Sequence, residues 1–197
     1  MDTSARDTRF LDADAFLRTD QSDFGRAWRY ELVRGRIVAH AAPSPDHGII
    51  LANLARELGN RLKDHRECWP EVGSGAVSRY EQRDTARIPD AMIRCGKHPR
   101  VMFDVVSPSE LHHKRDRDLR RSDLQAVEGV QEIVEIYQDE MLAHAYRRQE
   151  AGWVFQSISG AEAEIALPSV GIGVPLAALY HRVELAASGE QPTAIEP

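Results

Sequence analysis

The 197-residue chain has no run of about 18 uncharged apolar residues, so no membrane-spanning helix is expected. An apolar leader is also missing. The chain opens MDTSARDTRF, charged and polar, which argues against a secretory signal and makes the cytoplasm the expected location. Cysteine is scarce. Cys68 and Cys95 stand 27 positions apart, with no CxxC pair and no clustered histidines, and this argues against a zinc ribbon, a redox dithiol or a disulfide scaffold. Aromatic residues make up only 7%, and the scattered Trp28, Trp69 and Trp153 are assigned to packing rather than base stacking. Positive charge is not in excess: 25 Lys and Arg against 31 Asp and Glu leave a net charge of -6, so the chain is no histone-like polycation. Any contact with nucleic acid must be local. There is no internal repeat and no long low-complexity block.

At 42% hydrophobic and 28% charged, the chain can bury one core and is too short for two ordinary domains. FLDADAFLRTDQ (9–20) predicts a short helix entered through Asp12 or Asp14, with 21–28 as its connection. YELVRGRIVAH alternates around Arg34-Gly35 and reads as a hairpin with the glycine in the turn. From Asp46, taken as the cap, Leu51, Leu54, Ala55, Leu58 and Leu62 fall on one helical stripe. Residues 71–80 and 87–94 read as strands and CGKHPR as a loop. VMFDVV (101–106) reads as a central strand, stopped by Ser107-Pro108-Ser109. Residues 116–128 are helix-compatible with Gly129 as the stop, and QEIVEIY, MLAHAYRR and GWVFQSI follow as three strands. This order predicts a mixed α/β sheet domain rather than a doubly wound repeat. The tail from Ala186, rich in Ala, Gly, Pro and Glu, is expected to be disordered.

Chemistry enters with two acids. Asp90 in IPDAMI and Asp104 in VMFDVV each sit among apolar residues, 14 positions apart. An ionised carboxylate there is costly unless it is paired, hydrogen-bonded or bound to a metal. A hairpin would set the two side by side, and adjacent carboxylates repel unless they share a proton or a divalent cation. Relief of that repulsion would make Asp104→Asn stabilising. Oxygen-only ligands suit magnesium or manganese rather than zinc. The plain alternative is that Asp90 caps a turn after Pro89 and Asp104 pairs with a nearby arginine.

Taken together, YELVRGRIV, SPDHGIILANLARELGNRL, IPDAMI, FDVVSPSE and EGVQEIVEIY, in that order, resemble a PD-(D/E)xK nuclease fold. More narrowly, they resemble the Uma-type family of bacterial restriction endonucleases. The resemblance implies a restriction-endonuclease-like mixed β-sheet core flanked by helices. It places a nuclease domain at 30–185, after a helical extension over 1–29 and before the tail 186–197. It implies a magnesium- or manganese-dependent endonuclease that hydrolyses DNA phosphodiester bonds with a metal-activated water. Asp90, Asp104 and the Val105 backbone carbonyl would be the metal ligands. The position two after Asp104, which normally carries a lysine, is Val106. The family commonly moves that lysine to the following helix, and the matching position is Arg120, with Lys114 as an alternative donor. Arginine retains charge but is always protonated, so it cannot act as a base. Glu31 and His47 also fit the pattern. Glu31 could equally be a surface strand residue, and His47 a first-turn helix residue beside Asp46; as a site residue, His47 would meet a phosphate or move a proton.

The stretch HHKRDRDLRR (112–121) is locally basic. It could be a solvated helix face with internal pairs such as Asp116 and Arg120. Placed just beyond Asp104, its Lys114, Arg115, Arg117 and Arg121 become candidate contacts to DNA phosphates. His112 and His113 lack partners at ligand spacing. The expected partner is double-stranded DNA, and cutting both strands implies a homodimer. From another class comes a weakened nuclease fold that binds nucleic acid or a partner protein without cutting.

Overall fold

In a computed structural model of the chain, described over residues 12–79 and 84–185, Asp12 opens the first helix by accepting from the Ala15 amide. This helix, α1 (Ala13–Arg18), buries Ala13 and Phe16 against Tyr30, Leu32 and Ala86. Residues 9–11 of the expected helix and the tail 186–197 lie outside the described residues. A hairpin of β1 (Arg29–Val33) and β2 (Arg36–His40) follows. Its turn uses Arg34 and Gly35, both at positive φ, the primed geometry that matches strand twist. The long helix α2 (Pro45–Leu62) is capped by Ser44, whose hydroxyl accepts from the His47 amide, so the cap stands two residues before the expected Asp46. Pro45 then takes the first helical position, where a missing N–H costs nothing.

The expected single strand over 71–80 divides into β3 (Cys68–Val72) and β4 (Ala76–Ser78), broken at Gly73-Ser74-Gly75, with Gly73 at positive φ. The strand expected over 87–94 likewise divides into β5 (Thr85–Arg87) and β6 (Ala91–Cys95). Asp90 therefore sits just before a strand rather than inside one. Most of the expected loop CGKHPR belongs to strands, because β7 (His98–Val106) starts right after a tight turn at Gly96-Lys97. Beyond it come α3 (Pro108–Leu111), α4 (Lys114–Gln125), β8 (Glu132–Tyr137), β9 (Leu142–Gln149) and β10 (Gly152–Ser159). A small hairpin, β11 (Glu164–Leu167) with β12 (Ile172–Pro175), and the turn of helix α5 (Leu176–Leu179) close the described chain. These last elements have no counterpart in the sequence reading.

The main sheet is mixed, as expected: β10-β9-β8-β7-β6-β3, antiparallel throughout except for the parallel β7–β8 pair. A second sheet runs β2-β1-β5-β4. Alternation along β7 divides its side chains between two layers. Val101, Phe103 and Val105 join Leu54 and Leu58 of α2 in the larger core. Met102 faces the other way and meets Leu124 of α4. Asp104 shares that second face. Cys68 and Cys95 are disulfide-bonded and opposite each other in the β3–β6 register, which corrects the reading against a disulfide. The separation of 27 positions hides two neighbours in the sheet.

Candidate active site

The sheet register assembles the site. One residue beyond the Ala91–Phe103 pair, Asp90 comes beside Asp104, and the Val105 amide donates to Asp90 Oδ2 at 2.8 Å. Asp104 is opposite Glu135 in β8, and Glu135 opposite His144 in β9. Asp90 at the entry to β6, Asp104 in β7 and Glu135 in β8 thus form one row of acids, on the face covered by α4.

Helix α4 supplies the counter-charge. Arg117, Arg120, Arg121 and Leu124 are spaced i, i+3, i+4, i+7, so they share one helix face. Leu124 packs into the core at one end of that stripe, and the arginines take over where the sheet becomes acidic. Arg120 grips Asp104 with two bonds, Nε to Oδ2 at 2.7 Å and Nη2 to Oδ1 at 2.8 Å. Its third nitrogen, Nη1, donates to both oxygens of Glu31 at 2.7 and 2.8 Å, and Nη2 also reaches the Ile88 carbonyl at 3.0 Å. The expected Asp116–Arg120 pair is not the one Arg120 makes. Arg121 donates to Glu135 at 2.8 Å, bonds Asp118, and lies over the Tyr146 ring.

Glu31 is fully buried, which removes its surface-residue alternative. Besides Arg120 it accepts from Arg87 at 3.1 Å and from the Ile88 amide at 2.8 Å, with His40 Nε2 at 3.2 Å. Burial alone would raise its carboxyl, but Arg120, with His40, holds it well below the usual range. Asp90 follows the same logic. Burial opposes its charge, while His47, Arg29 and the Val105 amide draw its pKa down to about 2. The bond from Arg29 is 3.0 Å and His47 Nε2 stands 3.4 Å away. Glu135 goes the other way. Burial pushes it up, and Asp104 adds to this against the pull of Arg121.

Of the expected site residues, Glu31, His47, Asp90, Asp104 and Arg120 are therefore gathered here, and the plain pairing of Asp104 with an arginine is also present. Of the expected phosphate contacts, Lys114 and Arg115 are exposed at the start of α4 and Arg121 is tied to Glu135. Buried Nε and Nη1 of Arg117 have no hydrogen-bond partner. Sequence reading missed Arg29, Glu135, Arg87 and the buried Asp123 of α4, which accepts from Arg87 at 2.9 and 2.6 Å. Glu135 carried the same signal as Asp104, a carboxylate inside the apolar run EIVEIY. The arginines carried none, because a basic residue at a strand end is ordinary surface chemistry.

An open cleft of about 1070 Å³ lies over the row, lined by Asp90, Asp104, Arg117, Arg120 and Glu135. Trp28 stands at its wall and is 68% exposed, which corrects its assignment to packing. Trp69 is also exposed. Among the described residues no three His, Cys, Asp or Glu side chains converge to hold a metal ion. The adjacent acids Asp90 and Asp104 offer hard oxygen donors only. Oxygen donors of this kind suit magnesium or manganese, but all four are already engaged here, those of Asp104 by Arg120 and those of Asp90 by Arg29, His47 and the Val105 amide.

Residues 13–178 match the family model Uma2, described as "Putative restriction endonuclease". No curated protein matches the chain. The crystal structure of a putative nuclease belonging to DUF820 from Anabaena variabilis is similar, with a TM-score of 0.63 and 16% identity over 86% of this chain and 97% of that one. At that identity the likeness establishes the fold alone, a mixed α/β domain.

Proposed function

This chain belongs to the Uma2 family of putative restriction endonucleases, and on that premise we propose that it hydrolyses phosphodiester bonds of double-stranded DNA at the cleft above Asp90 and Asp104. The observation that carries this reading is the pair of neighbouring carboxylates at the floor of an open cleft walled by arginines. Asp90 and Asp104, with the Val105 carbonyl, would hold magnesium or manganese. Such an ion, when bound, supplies an activated water and offsets charge on the phosphate.

The remaining work falls to the chain's own side chains. Arg120 orients Asp104 and presents fixed positive charge to the phosphate, but it cannot accept a proton. His47, in the first turn of α2 and beside Asp90, is the residue able to move one near neutral pH. Lys114 and Arg115 meet the DNA backbone from the exposed start of α4. Cutting both strands calls for two such sites, hence a homodimer, and the DNA substrate fits a cytoplasmic location. Among the described residues no helix is long and apolar enough to cross a membrane.

A second reading, binding without cutting, is favoured by one observation: Arg120 occupies both oxygens of Asp104 where a lysine would leave more room. Calorimetry with magnesium and manganese on the wild type and on Asp90→Asn, with plasmid nicking on the same samples, separates the two. Metal binding and nicking, both lost in Asp90→Asn, are expected for a working nuclease. Metal binding without nicking favours the second reading. An absence of metal binding and of nicking returns both acids to a structural role.

A further inference from the structure

Trp28 is the least covered large hydrophobic side chain of the described residues, and it stands in the wall of the acid-floored cleft. Its backbone is fixed: its amide donates to the His40 carbonyl at 3.2 Å, and the next residue, Arg29, is locked to Asp90. The other tryptophans have local partners. Trp153 lies under the Arg148 guanidinium at 4.6 Å, and the Trp69 indole donates to Glu71. Among the described residues Trp28 has neither kind of partner. Val38 and Val72, 38% and 52% exposed, line the same cleft, so its mouth is apolar while its floor is ionic.

Arg117 also lines the cleft, and two of its guanidinium nitrogens, sealed from water in this arrangement, have no acceptor. Leaving such donors unpaired is costly, and phosphate oxygens are the acceptors that a planar fork suits best. An apolar platform with unsatisfied cationic donors in one cleft matches a nucleotide, which is a flat π-faced base attached to an anion. An intact duplex does not offer that combination, because its base faces are already stacked on one another.

We propose that Trp28 is a stacking platform for an unpaired base, so that the cleft takes a nucleotide turned out of its duplex, which a single strand mimics, with a phosphate on Arg117. This rests on the reading of the cleft as a phosphodiester site. The test is fluorescence anisotropy in EDTA with an end-labelled single strand and a blunt duplex of the same sequence. Wild type is expected to bind the single strand more tightly. Trp28→Ala should weaken single-strand binding by about 5- to 150-fold and leave the duplex unaffected, while Trp28→Phe retains most of the affinity. Arg117→Ala should weaken both and reduce the salt slope by about 0.9 on the duplex and about 0.7 on the single strand. If Trp28→Ala binds both probes as wild type does while Arg117→Ala weakens them, the stacking platform is wrong and the phosphodiester site stands. If wild type binds neither probe yet nicks plasmid with magnesium or manganese, the stacking platform is wrong and the phosphodiester site stands; if it neither binds nor nicks, both are wrong.

Discussion

Arg120 and Asp104 are joined by a two-pronged ion pair, from α4 to the middle of the sheet, while the remaining end of the same guanidinium holds Glu31. Both acids are largely removed from water, with side-chain exposures of 12% for Asp104 and 0% for Glu31. Removing the cation would leave two buried charges short of a counter-ion. Arg120→Met is therefore expected to destabilise the fold by about 3–5 kcal/mol in urea unfolding. Arg120→Lys retains the charge but not the fork, so it should lose less stability and preserve or raise nicking. A Met variant as stable as wild type would show that the pair does not hold the site together.

The same pair reverses one expectation from the sequence. With two acids side by side and no cation in view, Asp104→Asn reads as relief of repulsion. With Arg120 on both Asp104 oxygens, attraction outweighs the neighbouring Asp90, whose own charge is met by Arg29 and the Val105 amide. Asp104→Asn should therefore lose about 1–3 kcal/mol of stability together with nicking. A more stable variant would mean that repulsion dominates after all.

What was legible follows from how far each signal reaches along the chain. The α2 stripe, the hairpin at Arg34-Gly35 and the run VMFDVV are local patterns, and each lies where periodicity places it. The neighbouring placement of Asp90 and Asp104 was legible because a short hairpin turns their spacing into adjacent register positions. The Cys68–Cys95 bond was not, since β3 and β6 are neighbours only through the sheet. Glu31 is the same case at larger scale: its partners Arg87 and Arg120 come from distant elements, so nothing within YELVRG marks it as buried.

Acid sensitivity should be concentrated in the depressed carboxyls. Asp90 lies at about 2 in the fold against an ordinary 3.8. A lowered folded pKa gives stability that is present above the unfolded value and lost as pH falls through the folded one. Asp90 should therefore contribute about 2 kcal/mol at neutral pH, lost between about pH 4 and 2. Glu31 adds the same sign over its own acid window. Urea midpoints against pH should fall less steeply over this range in Asp90→Asn than in wild type, and equal slopes would refute the assignment.

Glu135 should give the opposite sign. Burial raises its carboxyl, with Asp104 adding to the effect, so its contribution is present below the unfolded pKa and lost as pH rises through the folded one. The stability of wild type relative to Glu135→Gln should decline as pH rises above the ordinary glutamate range of about 4.3. A difference independent of pH would mean that Arg121 cancels the burial.

The Cys68–Cys95 bond ties β3, the outer strand, to β6, which leads directly from Asp90. Closing a loop of 27 residues removes freedom from the unfolded chain, so Cys68→Ser with Cys95→Ser should cost about 3 kcal/mol of stability under oxidising conditions. Thiol titration of denatured, unreduced protein should find no free cysteine, and two after reduction; two from the start would refute the bond. A reducing cytoplasm would keep the pair as thiols, and function there could not depend on the bond. Nicking should therefore survive reduction, because the hydrogen-bond and ion-pair partners of the Asp90 and Asp104 carboxylates come from β1, α2, α4 and the backbone of β7 rather than from β3.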